Sequence, residues 1–261
     1  MRDRWPRWLL PALLVSGVAV LIAIVAWPEG EGGATAGGRA RAEVGKRLQA
    51  VPELAATTGQ RSSGRRGFLI AQLTAPTALR ASPAGRPVAR LATRTEFGSQ
   101  RVLAVVRRKG SWLGVIAPEL ANGQVGWVDR ADARLSRLAA AVRVDVSERT
   151  LTFSRGGRVA LRAAVGVGRP AAPTPVGRFA VTDKLRIIGS TPYGCCAIAL
   201  TGHQPNVVQG WTGGDRLAIH GTRSSTSIGR ASSLGCLRAR SDDLRWLLKE
   251  LVLGTPVFIR P

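Results

Sequence analysis

Cys236 and His220 are the two residues of this sequence best suited to chemistry, and each has a glycine neighbour. The chain holds only three cysteines and two histidines in 261 residues. A thiol attacks a carbonyl as its thiolate, so a nucleophilic cysteine needs a base within hydrogen-bond reach. The pair therefore predicts a thiol nucleophile with a histidine base. The alternative is that both residues are structural, one a small buried hydrophobe and the other a hydrogen-bonded core histidine.

The residues around this pair suit the same chemistry. Gly235 lets the backbone turn sharply before the thiol, which exposes the N–H groups around residues 234–236 as donors to a developing oxyanion. His220 ends the apolar segment "RLAIH", so its imidazole can project from a strand end. Arg238 follows Cys236 by two residues and shares its face in an extended segment. A cation there lowers the pKa of the thiol and can bind a substrate carboxylate.

Residues 140–261 predict a mainly β unit that positions these groups. The segments "VRVDVS" and "LTFSRGGRVALRAAVG" are typical of strands, with a tight hairpin at Gly156-Gly157. Towards the C-terminus, Ser241 is predicted to cap the chain's one clear soluble helix, which has leucines on one face at positions 244, 247, 248 and 251. "TPVFIR" then returns as a final strand.

The motif "IHGT…SSLGCLR" resembles the signature of YkuD-type L,D-transpeptidase domains, and the similarity extends over most of residues 140–261. Further matching segments are "VRVDVSERTLTF", "VGVGRPAAPTPVGRF", "TPYGCCAIAL", "GWTGG" and "GTPVFI". The resemblance implies the following site: Cys236 as nucleophile, His220 as general base and acid, Gly221 as the carbonyl that orients His220, Ser233, Leu234 and Gly235 as the turn with its backbone oxyanion donors, and Arg238 as the cation for a substrate carboxylate. Leu234 departs from the family, which usually has histidine there.

The same resemblance implies a peptidoglycan L,D-transpeptidase. The thiol would attack the third residue of a tetrapeptide stem, release D-alanine, and pass the acyl group to another stem in a 3→3 cross-link. Hydrolysis of the same thioacyl intermediate would give an L,D-carboxypeptidase. No metal or organic cofactor is implied, and carbapenems are expected to acylate the same thiol.

Several alternatives compete with this interpretation. A sortase has the same residue order but a TLxTC-like strand and a much longer His-to-Cys gap, and papain-like or NlpC-like peptidases place cysteine before histidine. A metal site at Cys195, Cys196, His220 and Cys236 follows no regular zinc spacing. A wall-binding protein with an inactive catalytic domain is a further alternative, because Leu234 stands where the family usually has histidine. Cys195 and Cys196 can pair with each other or stay free, and His203 is predicted to lie in a solvated loop.

Residues 68–135 predict a small β-barrel that resembles bacterial SH3-like domains. Short apolar strands alternate with Pro, Gly and Asn breaks, and "GSWLGV" and "GWV" carry the resemblance. Such modules bind cell-wall peptides or serve as spacers, and both roles are open here.

The N-terminal 66 residues predict a membrane anchor and a linker. Trp8–Trp27 (residues 8–27) is an uncharged stretch of 20 residues, long enough to span a bilayer. Residues 1–7 carry Arg2, Arg4 and Arg7, so the positive-inside rule places them in the cytoplasm. The Gly/Ser/Arg-rich residues 28–66 predict a flexible linker. We expect a single-pass cell-membrane protein with its domains on the wall side; a cleaved signal peptide is the alternative.

The charge is strongly basic. Lys+Arg total 38 against 16 Asp+Glu, a formal net charge of +22, which favours an anionic partner such as a wall polymer or lipid surface. Nucleic acid is disfavoured because the arginines are scattered, no nucleic-acid motif is present, and aromatic residues make up only 5%.

Overall fold

The computed structural model describes residues 48–50, 67–188, 191–206 and 214–261. Strand β1 (Leu48–Ala50) lies in the predicted linker and pairs antiparallel with residues 185–187. Part of residues 28–66 is therefore a strand bound to a later domain rather than a free linker. The predicted span Trp8–Trp27 lies outside the described residues. Within the ranges above, no helix is long and apolar enough to cross a membrane.

Residues 67–138, the N-terminal unit, form a seven-stranded sheet in which every neighbouring pair is antiparallel. Its order is β4-β3-β7-β6-β5-β2-β8. The strands are β2 (Phe68–Leu73), β3 (Thr77–Arg80), β4 (Pro87–Leu91), β5 (Val102–Lys109), β6 (Trp112–Ile116), β7 (Gly126–Asp129) and β8 (Ala133–Leu138).

Alternating burial explains this sheet, because successive side chains of a strand point to opposite faces. In β3, Thr77 and Leu79 are buried while Ala78 and Arg80 are half-buried. The unit has its own apolar core, which includes Leu79 and Leu113. A β-rich unit is thus present where one was predicted, and it extends past residue 135 to the end of β8. Its SH3-like character stays a prediction.

Residues 139–261, the C-terminal unit, form a mixed sheet and one α-helix in the part that the structure describes. The sheet runs β11-β10-β9-β18-β13-β14-β15-β17, with β1 also on β13, and β12 pairs separately with β16. The elements are β9 (Ala140–Asp145), β10 (Thr150–Arg155), β11 (Arg158–Ala164), β12 (Val167–Gly168), β13 (Gly177–Ile187), β14 (Cys196–His203), β15 (Arg216–His220), β16 (Ala231–Ser233), β17 (Leu237–Arg238), α1 (Ser241–Glu250) and β18 (Pro256–Arg260).

Local sequence explains most of these elements. Gly156 and Gly157 have φ of 58° and 82°, and they close the predicted hairpin between β10 and β11. Helix α1 buries three of the four predicted leucines, those at 244, 247 and 248, whereas Leu251 is the capping residue after its end. The helix begins at Ser241, with Arg240 in the N-terminal capping position and no side-chain capping bond. The predicted cap at Ser241 was therefore wrong by one residue, a common uncertainty at helix ends. Mainly β structure is confirmed, with one α-helix in the described ranges.

Strand β13 shows how the two units meet. Every residue from 179 to 185 is buried, whereas a strand with one face in water would alternate. Its second face is covered by the N-terminal unit, where Ala180 packs against Ala104 and Ile116. The C-terminal unit therefore shares buried surface with the N-terminal unit.

Candidate active site

Two adjacent parallel strands, β15 and β17, carry the chemical groups. Ile219 pairs with Leu237 and His220 pairs with Arg238. Ile219 and Leu237 are fully buried in the core. Because side chains alternate along a strand, His220 and Arg238 lie on the opposite face. Cys236 directly precedes β17, and its Sγ lies 3.7 Å from the carbonyl oxygen of Arg216 in β15, so the thiol lies against the strand that carries His220.

The imidazole of His220 is held in one orientation. Its Nδ1 lies 2.6 Å from the carbonyl oxygen of Gly221. A carbonyl only accepts hydrogen bonds, so Nδ1 carries the proton and Nε2 keeps a free lone pair. This is the placement expected for a carbonyl that orients a general base. The residue is 5% exposed.

Burial makes this imidazole a weak base in the resting state. Burial lowers the pKa of His220 from 6.5 to about 4; the bond to Gly221 opposes this change, and the nearby Arg238 cation adds to it. The ring of Tyr193 packs edge-on against the imidazole at 4.9 Å between centroids. At neutral pH His220 is therefore uncharged.

The thiol of Cys236 contacts strand β15. Its Sγ donates to the carbonyl oxygen of Arg216 at 3.7 Å. Burial raises the pKa of the Cys236 thiol, while the backbone N–H of Ala218 and the charge of Arg238 lower it. The resting pair is thus a neutral thiol with a neutral imidazole, and the proton must move as the thiol attacks.

The turn before the nucleophile is closed by Ser233. Its hydroxyl donates to the Cys236 carbonyl oxygen at 2.6 Å and accepts from the Gly235 N–H at 2.9 Å. The Gly235 N–H is therefore occupied, contrary to the expectation that all N–H groups at 234–236 face a substrate. The N–H groups of Leu234 and Cys236 make no hydrogen bond to any described residue, and they remain candidate oxyanion donors.

Gly235 is required at its position for two reasons. Its φ of 116° is a conformation that side chains rarely adopt. A Cβ there would lie 1.2 Å from Nε2 of Gln204. Leu234, by contrast, is 40% exposed and contributes little to the core.

Arg238 is anchored by its backbone and carries an available charge. Its N–H and carbonyl pair with Gly166, and its guanidinium makes one long bond of 3.4 Å to the Ser232 hydroxyl. No described carboxylate forms an ion pair with it. A cation in this state can bind a substrate carboxylate.

Cys195 and Cys196 form a disulfide with each other, which leaves Cys236 as the free thiol. The paired sulfurs offer no thiolate to a metal, which disfavours the metal site considered from the sequence. The disulfide adjoins the base: the Gly221 N–H donates to the Cys196 carbonyl oxygen at 3.0 Å. A Cβ on Gly221 would lie 3.0 Å from the Tyr193 carbonyl oxygen, so glycine is needed for this close approach.

His203 corrects a second expectation. It ends β14 instead of lying in a solvated loop, and its side chain is 26% exposed. Its Nδ1 lies 3.1 Å from an Asp215 carboxylate oxygen, and its Nε2 lies 2.6 Å from the Pro118 carbonyl oxygen of the N-terminal unit. Composition suggested a loop because "TGHQPN" has turn residues.

The structure brings together all seven residues predicted for the site. It adds Tyr193 and Gln204, which sequence reasoning missed. Tyr193 is the chain's only tyrosine, and that rarity beside a double cysteine was an available signal. The sequence carried no signal for Gln204, because Gln204 and Gly235 are far apart in the chain and approach each other only in the folded structure.

Comparisons with known proteins find similarity over the C-terminal unit. Residues 139–259 match the family model described as the L,D-transpeptidase catalytic domain, YkuD. A curated Bacillus subtilis relative, YkuD, is 30% identical over 118 residues, which cover 45% of this chain and 64% of the relative. The chain thus spans less than two thirds of that relative's length.

Two solved structures are also similar. One is an L,D-transpeptidase from Mycobacterium tuberculosis, with 20% identity, a TM-score of 0.40, and coverage of 54% of this chain and 67% of that chain. The other is the LD transpeptidase LdtMt1 in complex with imipenem, with 19% identity, a TM-score of 0.40, and coverage of 62% and 92%. Residues 139–259 of this chain are therefore similar to the L,D-transpeptidase catalytic domain of the YkuD family.

Proposed function

We propose that this protein is a peptidoglycan L,D-transpeptidase that forms 3→3 cross-links through a thioacyl intermediate on Cys236. The observation that carries the proposal is that the Cys236 thiol contacts strand β15, which ends at the oriented imidazole of His220. The Gly221 carbonyl oxygen, 2.6 Å from Nδ1, leaves Nε2 as the basic atom. This arrangement suits proton transfer from thiol to imidazole during attack.

In the first step, Sγ of Cys236 attacks the carbonyl carbon of the third, L-configured residue of a tetrapeptide stem. Nε2 of His220 takes the thiol proton, and the carbonyl oxygen becomes an oxyanion. The N–H groups of Leu234 and Cys236 are the candidate donors to it. The C–N bond to the terminal D-alanine then breaks, and His220 gives its proton to the leaving amine.

The lowered pKa of His220 assists this last transfer. With a pKa of about 4, the imidazolium formed during attack is a stronger acid than an ordinary histidine. It therefore returns its proton readily to the amine. The cost is a less favourable first transfer, which the two N–H donors and the Arg238 charge must offset.

The second step transfers the acyl group. A side-chain amine of another stem attacks the thioester carbon, and His220 accepts the amine proton. The C–S bond then breaks, and His220 returns that proton to the sulfur, which restores the Cys236 thiol. If water attacks instead, the product is a tripeptide and the protein acts as an L,D-carboxypeptidase. Arg238, which has no described carboxylate partner, is suited to bind a stem carboxylate.

The proposal extends to partners and location. A carbapenem would acylate Cys236 by the same attack on a strained carbonyl. The net charge of +22 suits contact with anionic wall polymers. The uncharged stretch at residues 8–27 supports a single-pass anchor with the domains on the wall side. Wall-binding without catalysis is a second candidate, favoured by Leu234 where the resembled family has histidine.

The test uses the full chain in detergent with a purified disaccharide-tetrapeptide. Intact-protein mass spectrometry follows the thioacyl adduct, and product masses follow turnover. We expect an adduct that has lost D-alanine, then a cross-linked dimer, and neither with Cys236→Ala. The matched control is the Cys195→Ser/Cys196→Ser variant, which should keep a reactive thiol at 236. Tripeptide alone would indicate hydrolysis; full turnover by Cys236→Ala would rule out the mechanism.

A further inference from the structure

We infer that the N-terminal unit positions the active-site residues. It holds strand β15 through Arg216, and it holds the turn before the nucleophile through His203 and Gln204. The inference rests on the proposed function and extends it. The sequence left this unit as a spacer or a wall-peptide module, and a spacer would not need specific contacts to the strand that carries the base.

Two loops of the N-terminal unit, residues 92–101 and 117–125, form one surface here called the docking loops. The first connects β4 to β5 and the second connects β6 to β7. Arg101 and Glu119 join them by an ion pair of 2.6 Å. Arg101 is only 7% exposed and the Glu119 side chain is 27% exposed, so this pair is partly shielded from water. The two loops therefore act on the C-terminal unit as one rigid surface.

The first contact is an ion pair between Glu96 of the docking loops and Arg216, the first residue of β15. The Arg216 guanidinium also donates to the Thr182 hydroxyl at 2.8 Å and to the Leu200 carbonyl oxygen at 3.0 Å. It is thus held by β13, β14 and the N-terminal unit at once. The Arg216 side chain is 16% exposed, but the Glu96 side chain is 46% exposed, so solvent screens the ion pair and the hydrogen bonds to β13 and β14 share in anchoring Arg216.

Arg216 matters because of what its strand carries. The Arg216 carbonyl oxygen accepts from Sγ of Cys236 at 3.7 Å. The Ala218 N–H stabilises the thiolate form of the same sulfur. His220 ends this five-residue strand. A shift of β15 therefore changes the thiol's hydrogen bonds and the position of the base together.

The second contact reaches the nucleophile turn by another route. Asn122 of the docking loops donates to the His203 carbonyl oxygen at 2.8 Å and accepts from the His203 N–H at 2.9 Å. The next residue, Gln204, is 1% exposed. Its amide fills the space where a Cβ of Gly235 would lie and donates to the Pro173 carbonyl oxygen at 3.1 Å. The clamp on His203 thus fixes the residue that supports the turn.

A buried carboxylate argues against loose docking. Asp183 in β13 is 0% exposed, and its Oδ1 accepts from the Thr95 hydroxyl of the docking loops. A buried polar group is costly unless it is hydrogen-bonded, and separating the units would remove the bond that Thr95 donates to this side chain. Together with the apolar cluster around Ala180, this favours one fixed arrangement of the units.

The test compares Glu96→Gln and Asn122→Ala with the wild type in the full chain. Glu148→Gln is the matched control, since Glu148 is exposed and makes no ion pair among the described residues. Single-turnover acylation by the disaccharide-tetrapeptide is measured over a range of concentrations. Each docking variant should lower the maximal acylation rate by about threefold to tenfold, because small misplacements of reacting groups are costly. The half-saturating concentration should change by less than about twofold, as expected for positioning rather than binding.

A second readout does not depend on the proposed function. Iodoacetamide alkylation of Cys236 near pH 8 reports the thiol's environment. A thiol released from β15 becomes more solvated, so both docking variants should alkylate about threefold faster or more. Thermal unfolding excludes global destabilisation as the cause, provided that both assays run well below each variant's transition. The Glu148→Gln control should match the wild type throughout.

The outcomes separate the two proposals. If the wild type alkylates but is never acylated by a stem peptide, the proposed function fails, and the alkylation rates still judge this inference. If the wild type is acylated and both docking variants match Glu148→Gln in acylation and alkylation, the N-terminal unit is a spacer and the inference is wrong.

Discussion

Lowering the pH from 8 to 5 examines the environment of His220 directly. Burial lowers the pKa of this imidazole from 6.5 to about 4. At pH 5 such a group is about 10% protonated, whereas an ordinary histidine is about 97% protonated. The basic form of His220 should therefore be about thirtyfold more abundant at pH 5 than for an ordinary histidine. We expect the maximal acylation rate to fall on the acid side near pH 4.

The assay combines kinetics with a direct titration. The chain has only two histidines, so NMR resolves their ring signals. The signal that disappears in the His220→Gln variant is assigned to His220. The His220 ring should titrate near 4. Single-turnover acylation measured from pH 4 to 8 should follow the same curve. A ring titration and an acid limb that both lie near 6.5 would refute the claim that burial controls this base.

The coupling between protonation of His220 and folding predicts a second measurable quantity, the pH dependence of the free energy of unfolding. The folded-state pKa of His220 lies below its unfolded value, so the unfolded chain binds a proton that the folded chain does not. The part of the free energy of unfolding that comes from keeping His220 neutral is fully present above pH 6.5 and is lost as the pH falls towards 4. The difference amounts to about 3 kcal/mol in full and about 2 kcal/mol between pH 8 and 5. Between pH 8 and 5, the free energy of unfolding measured with urea should fall by about 2 kcal/mol less in His220→Gln than in the wild type.

Three further predictions concern neighbours of the reacting pair. Tyr193→Ala should admit water to the imidazole and raise the pKa of His220 towards 6.5, whereas Tyr193→Phe keeps the ring and should not; NMR titration of the histidine ring checks both. Gly235→Ala should lower the thermal transition and abolish acylation, because it combines a φ of 116° with a collision against a buried amide. Gly229→Ala is its control, with a φ of 73° and nothing within 4 Å of the added Cβ; it should retain acylation. Leu234→His should change the free energy of unfolding by less than about 0.5 kcal/mol, since the side chain is 40% exposed. Acylation found only in that variant would favour a wall-binding role for the wild type.

The hydrogen bonds of the turn before the nucleophile show a limit of motif reasoning. Gly235 was expected from the sequence to free the backbone N–H groups at 234–236 for a substrate. The Ser233 hydroxyl takes the central one at 2.9 Å and so stabilises the turn instead. The residue types were right, but a short side chain that bonds its own backbone leaves no periodic signal.

Local patterns in the sequence were sufficient for much of the C-terminal unit. The glycine pair at 156–157 predicts its hairpin because only glycine adopts both left-handed dihedrals at low cost. The leucine spacing predicts α1, whose core face needs only residues three and four apart. Cys236 and Arg238, two residues apart, predict a shared face in an extended segment, and Arg238 does lie in a strand, paired with His220. Each inference depends on near neighbours along the chain.

The contacts that complete the site depend on residues far apart in the chain. Glu96 lies 120 residues from Arg216, and Pro118 lies 85 residues from His203. No local period encodes such pairings, because they form only when the two sheets pack. The pKa of His220 is set in the same way, since its largest cause is burial by the assembled fold. Residue types and local spacing were enough to predict the candidate reacting groups and the strands that carry them. How those groups are held follows from burial and long-range packing, which are properties of the whole fold.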